Sequence, residues 1–197
     1  MPSVSLTPDA APDAPVAVVL PGSGYTIQGP LLYWSIAILK AGGWHVRAVE
    51  WSADDLARDD PTGFAASEYV ESEVEAAFAA APSTGTRLVV AKSLGSFALP
   101  WALANDVPGV WLTPVLTVPA ISDALRQWAT PLDLVVGGTA DAFWRPEMVR
   151  GTAAGVLELA NADHSLVVPG DARRSRSLQE GVFDAVERHA DALSGRR

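Results

Sequence analysis

The chain has 197 residues, no cysteine, and 14 basic against 23 acidic side chains, for a formal net charge of −9. With 49% hydrophobic residues it can bury one substantial core, so a single compact domain is expected. The acidic balance argues against nucleic acid and anionic membranes as partners, and the lack of cysteine removes disulfides and thiolate chemistry, which fits a reducing cytoplasm.

The opening MPSVSLTPDAAPDAPV has neither a basic region nor an apolar run of signal-peptide length, and its four prolines and two aspartates predict a flexible extension over residues 1–15. A protein that is not exported, and is cytoplasmic, is expected. No later stretch supplies about eighteen uninterrupted apolar residues, so no membrane span is expected either. A single domain over residues 16–193 then alternates short apolar runs with helical periodicity.

The predicted strands are VAVVLPG (16–22), WHVRAVEW (44–51), TRLVVAKS (86–93), GVWLTPVL (109–116), LDLVVGG (132–138) and GVLELANA (155–162). Between them lie helical segments at PLLYWSIAILKAG, FAASEYVESEVEAAFAAA, SFALPWALAND, VPAISDALRQWA and RPEMVR, with a closing helix around SLQEGVFDAVERHADAL. The strands lack polar alternation, as expected when helices cover both faces. The pattern therefore predicts a three-layer α/β/α domain around a mostly or wholly parallel, six-stranded, doubly wound sheet. Ligands bind such sheets at the carboxyl ends of the strands.

At one of those ends stands Ala91-Lys92-Ser93-Leu94-Gly95, between a strand and a helix. A tight turn there exposes a serine hydroxyl when the residues two before and two after are small. Gly95 meets that need, and Ala91 stands where glycine is more usual. The following helix would aim its free amides at a developing oxyanion, with Leu94 N–H the first donor. A helix-capping serine is the plain alternative.

A nucleophilic serine needs a base, and of the three histidines only His164, in NADHSL after the last strand, falls on the same edge of the sheet. His45 opens a strand at the opposite edge and His189 lies within the closing helix. A carboxylate that fixes the imidazole should follow another strand on this edge, and Asp141 in GGTADAFW does so. Asp163 is adjacent to His164 in the chain and poorly placed to reach its ring, while Asp133 begins its strand at the wrong edge.

The order Ser93, Asp141, His164 resembles that of the α/β-hydrolase triad. AKSLGS is similar to that family's nucleophile elbow, GGTAD to its acid loop and NADHSL to its histidine loop. The resemblance covers residues 16–190 and implies a small, cap-less serine hydrolase that acts on a carboxylic ester or related acyl substrate through an acyl-enzyme. Thioester cleavage and acyl transfer would use the same groups. It implies no metal or organic cofactor, and a small-molecule acyl substrate as the partner. It also implies a second oxyanion donor in the loop Pro21-Gly22-Ser23-Gly24-Tyr25, from the amide of Ser23 or its neighbour Gly24, with proline where the family often has histidine. About fifteen residues separate the fourth and fifth predicted strands, enough for one helix and no lid, so an open site is expected.

Two other readings belong beside this one. Gly22-Ser23-Gly24 after a strand, with Glu50 ending the next, invites a dinucleotide site, but Ile27 occupies the third small position of that fingerprint. An inactive scaffold that binds without chemistry is the other, for which Ala91 and Lys92 beside the serine are the hints. Among the seven tryptophans, Trp51, Trp111 and Trp144 fall near strand ends, and Trp144, just after the acid loop, is the candidate pocket residue. Arg173, Arg174 and Arg176 cluster near the start of the closing helix, where the macrodipole disfavours them.

Overall fold

The computed structural model describes residues 3–51, 64–83 and 85–195. Among the described residues, seven strands form one sheet: β1 (Val4–Ser5), β2 (Val16–Leu20), β3 (His45–Ala48), β4 (Arg87–Lys92), β5 (Gly109–Leu112), β6 (Leu134–Gly138) and β7 (Gly155–Leu159), in the spatial order β1-β3-β2-β4-β5-β6-β7. β2 to β7 are mutually parallel, and β1 alone runs antiparallel, against β3.

The six expected strands are present and shorter at their ends, and a seventh, β1, lies within residues 1–15, where no strand was expected. Val4 and Ser5 pair with Ala48 and Arg47, and Arg47 holds the Ser3 carbonyl at 2.7 Å. Backbone pairing and an arginine fork recruit this segment, neither of which leaves a hydrophobic pattern.

Among the described residues, six α-helices flank the sheet: α1 (Pro30–Ala41), α2 (Phe64–Ala79), α3 (Leu99–Ala104), α4 (Pro119–Trp128), α5 (Pro146–Val149) and α6 (Ala172–Ser194). Period-two alternation sorts the strand residues between two buried layers. Val18, Leu20, Val89, Ala91, Trp111 and Val135 face one cluster, with α2, α3 and α4. Ala17, Val19, Leu88, Val90, Val110, Leu112 and Val136 face the other, with α1 and α6. Both faces are thus covered, which is why the strands carry no polar alternation. No helix among the described residues is long and apolar enough to cross a membrane.

α6 begins earlier than its apolar pattern suggests, because Asp171 caps it, its Oδ1 accepting the Arg174 N–H at 2.9 Å. That carboxylate sits beside Arg173 and Arg174 in the first turn and offsets the unfavourable dipole.

The chain winds outward from β2 to β3, then returns past β2 to β4 and continues the other way. The reversal opens a crevice between the carboxyl ends of β2 and β4, where such sheets place their ligands. The loop after β2 and the turn after β4 meet there.

Candidate active site

Ser93 closes β4 with φ 53°, in the left-handed region that non-glycine residues enter only under constraint. Lys92 before it is still extended, and a 3₁₀ helix, Ser93–Ala98, starts at once. Gly95 makes this turn possible: a β-carbon there would lie 2.7 Å from the Leu20 carbonyl oxygen. The Gly95 N–H donates to the Pro21 carbonyl at 3.1 Å, which ties the elbow to the loop after β2. Ala91 is fully buried in the layer of Leu20 and Trp111, so its extra methyl is packed into the core.

His164 Nε2 lies 2.8 Å from Ser93 Oγ, and His164 Nδ1 lies 2.7 Å from Asp141 Oδ2. A carboxylate only accepts, so Nδ1 carries the ring proton and donates it to Asp141, leaving Nε2 free to accept the Ser93 hydroxyl proton. The Asp141 side chain is fully buried while that of His164 remains 29% exposed. Asp141 Oδ1 accepts the Phe143 N–H at 2.9 Å, and the Phe143 ring meets the His164 ring edge-on at 5.0 Å between centroids. Both oxygens of the acid are therefore oriented.

Three hydrogen bonds hold the acid and histidine loops together. Thr139 N–H donates to the Leu159 carbonyl and Ala140 N–H to the Ala162 carbonyl, each at 2.9 Å. Asn161 N–H donates to Thr139 Oγ1 at 2.8 Å. Asp163 shapes the histidine loop, its Oδ1 accepting the Ser165 and Val167 N–H groups at 2.8 and 3.2 Å.

The other candidates fall elsewhere. Asp133 is buried at the opposite edge, where Oδ1 accepts from Gly109 N–H and Trp111 Nε1 and Oδ2 from Thr130. His45 opens β3 and His189 lies within α6. Trp144 is only 3% exposed and donates its indole N–H to Glu158 at 2.7 Å. It packs against Gly137, under the acid loop. Trp111 is fully buried.

Ser23 and Gly24 are exposed in the loop after β2, beside the serine: a β-carbon on Gly22 would lie 3.2 Å from Ser93 Cβ. The helix after this loop starts only at Pro30, and Ile27 packs into the α1–α6 layer. The dinucleotide fingerprint, which needs glycines opening a helix directly, is not formed. A cleft of about 430 Å³ opens over the ends of β2 and β3, its described lining including Gly22, Tyr25, Ile27, Val49, Glu50 and Trp51 but none of the three triad residues; Gly22 is where it borders Ser93. Trp51 points its indole N–H at the Gly22 carbonyl, 3.4 Å away.

Two supporting residues went unrecognised in the sequence. Ser96 Oγ donates to the Ser93 carbonyl at 2.6 Å and accepts the Val115 N–H at 3.1 Å, anchoring the elbow to the loop after β5. Phe143 had a local signal, since the residue two after a turn aspartate commonly donates to its side chain.

No protein-family profile matches the chain, and no curated relative is found by sequence. Solved structures do match. Est1E from Butyrivibrio proteoclasticus, with ferulic acid bound, superposes with a TM-score of 0.73 at 11% identity, over 98% of this chain and 95% of that one. A dienelactone hydrolase from Anabaena variabilis gives 0.61 at 15% identity, over 98% and 97%. An α/β serine hydrolase without a lid, from Xanthomonas campestris, gives 0.57 at 15%, over 100% and 97%. The fold is that of a cap-less α/β hydrolase, and Ser93, His164 and Asp141 make the Ser-His-Asp arrangement of serine-hydrolase, acyl-enzyme chemistry.

Proposed function

We infer that the protein cleaves small carboxylic esters by way of a Ser93 acyl-enzyme. As the Ser93 Oγ–carbonyl carbon bond forms, the hydroxyl proton passes to His164 Nε2, and Asp141 stabilises the imidazolium. His164 then returns that proton to the departing alcohol oxygen as the ester C–O bond breaks. A water molecule repeats the sequence and frees the acid. The amides of Leu94 and of Ser23 or Gly24 receive the tetrahedral oxyanion, each contributing about 3–4 kcal/mol in sites of this kind. Leu94 supports this by its place in the first turn of the 3₁₀ helix, where a helix offers its N–H no internal acceptor.

A small or protruding acyl ester is the favoured substrate because, among the described residues, only one helix, α4, lies between β5 and β6, so no lid is inserted at that point. The apolar and aromatic lining suits such a group. A cysteine-free chain is compatible with a reducing cytoplasm.

The single observation that carries this reading is the continuous pair of contacts from Ser93 through His164 to Asp141. Labelling with a fluorophosphonate at pH 7, with 4-nitrophenyl acetate and a feruloyl ester as substrates, tests it. Labelling of the wild type that disappears in Ser93→Ala, together with ester turnover, is expected. An unlabelled wild type would replace the hydrolase with a binding scaffold.

A further inference from the structure

Lys92, next to the nucleophile, is only 3% exposed, and no other lysine or arginine is buried among the described residues. In the alternation of β4 it follows Leu88 and Val90, on the side of α1. Its stem passes Gly22, where a β-carbon would lie 3.3 Å from Lys92 Cδ. Its ammonium ends over the Tyr25 ring, Nζ 4.8 Å from the centroid.

Tyr25 is itself tied into the loop after β2. Its hydroxyl accepts the Leu31 N–H at 2.9 Å, and its carbonyl accepts the Gly22 N–H at 3.0 Å. Its ring also lies so close to Gly29 that a β-carbon there would overlap it. Gly22, Ser23 and Gly24 therefore span a turn whose closing residue is held from below by a cation.

We propose that Lys92 is a positioning residue: its ammonium, seated on Tyr25, clamps the loop after β2 so that the Ser23 and Gly24 amides face the acyl oxygen on Ser93. This rests on the reading that those amides hold the oxyanion. A neutral amine attracts a ring face far less than an ammonium does, so the clamp depends on the proton. Burial pulls Lys92 down to about 8, against the attraction of Asp141 on the acid loop and Asp163 on the histidine loop. Burial pushes the Tyr25 phenol up, so the ring stays neutral through that range. Turnover therefore falls as pH rises through about 8, even though a more basic medium favours serine attack.

The test is the steady-state pH profile, from pH 6 to 10, of wild type, Lys92→Met and Lys92→Arg with 4-nitrophenyl acetate. At pH 7 Lys92→Met should lose about ten- to a hundredfold in kcat, short of the loss of a whole oxyanion donor. Its KM should stay within about threefold, and the alkaline limb should vanish. Lys92→Arg should recover most of kcat and carry the limb beyond about pH 9.5, since guanidinium stays charged. If Lys92→Met does not fold, Lys92→Arg decides alone through the position of the limb. A wild type that turns over ester with no alkaline fall, or variants that keep its profile, would overturn the clamp and leave the hydrolase intact. A wild type with neither turnover nor labelling of Ser93 would instead remove the hydrolase reading.

Discussion

The carbonyl oxygen of Ala162 lies against the α-carbon of Gly138, where a β-carbon would overlap it. This contact joins the last residue of β6 to the turn that leads to His164, and the same carbonyl accepts the Ala140 N–H. The spacing between the acid and the base is thereby set in backbone.

Gly138→Ala should separate the two loops. We expect a destabilisation of about 1–3 kcal/mol, as for overpacking elsewhere, seen in urea unfolding. The folded protein should also lose most of its kcat because Asp141 no longer meets His164 Nδ1. An alanine variant with wild-type kcat would mean that the lash between the loops is dispensable.

Two aspartates flank β6 and should behave oppositely. Asp141→Asn should lower kcat by about 10⁴-fold with the fold retained, through the wrong imidazole tautomer. Asp133→Ala strands the Gly109 and Trp111 N–H groups that its carboxylate accepts. It should reduce stability by about 2–4 kcal/mol while leaving kcat per folded molecule unchanged. Thermal melts and active-site titration together separate the two outcomes.

Lys92 also makes a prediction about stability. Its folded value, about 8, lies below the ordinary 10.5 of the unfolded chain. Between those values the unfolded state binds more protons, so this group's contribution to stability rises with pH through that window. At neutral pH the buried ammonium is destabilising, and Lys92→Met should raise stability by about 1–3 kcal/mol. Chemical denaturation at pH 7 and pH 10 should show that gain shrinking at the higher pH. An equal gain at both pH values would show that the charge is not its source.

Glu50, exposed at the end of β3, is the charged residue among those described around the cleft. Esters bearing a carboxylate should therefore be poorer substrates than neutral ones of equal size. Glu50→Gln should narrow that difference by about three- to tenfold at low salt, consistent with a solvent-screened charge. Comparing kcat/KM for a matched neutral and anionic pair at two ionic strengths checks it, and a ratio unmoved by the substitution would exclude Glu50 from recognition.

The triad was legible in the sequence because each member follows an unmistakable apolar strand, so chain order alone placed Ser93, Asp141 and His164 on one edge. Tertiary partners far along the chain decide what stayed hidden. Lys92 reads as an anomaly until Tyr25, distant in sequence, is found beneath its ammonium. Trp144 reads as a rim aromatic until Glu158 takes its indole N–H. The 3₁₀ turn from Ser93 to Ala98 precedes a helix with Pro100 in its first turn, which sequence periodicity alone read as one continuous helix. β1 escaped because two residues paired through their backbone leave no pattern.

That short strand has a practical consequence for handling the protein. Leu6 N–H and the Val46 carbonyl bond at 2.9 Å, and Thr7 Oγ1 accepts the Val46 N–H at 2.8 Å, so residues 4–7 act as a hem along β3. Proteolytic trimming of the amino terminus would bare a row of peptide groups that a second copy can pair with. Affinity tags and cleavage sites therefore belong at the carboxyl end, beyond α6, where removing them leaves the hem sewn.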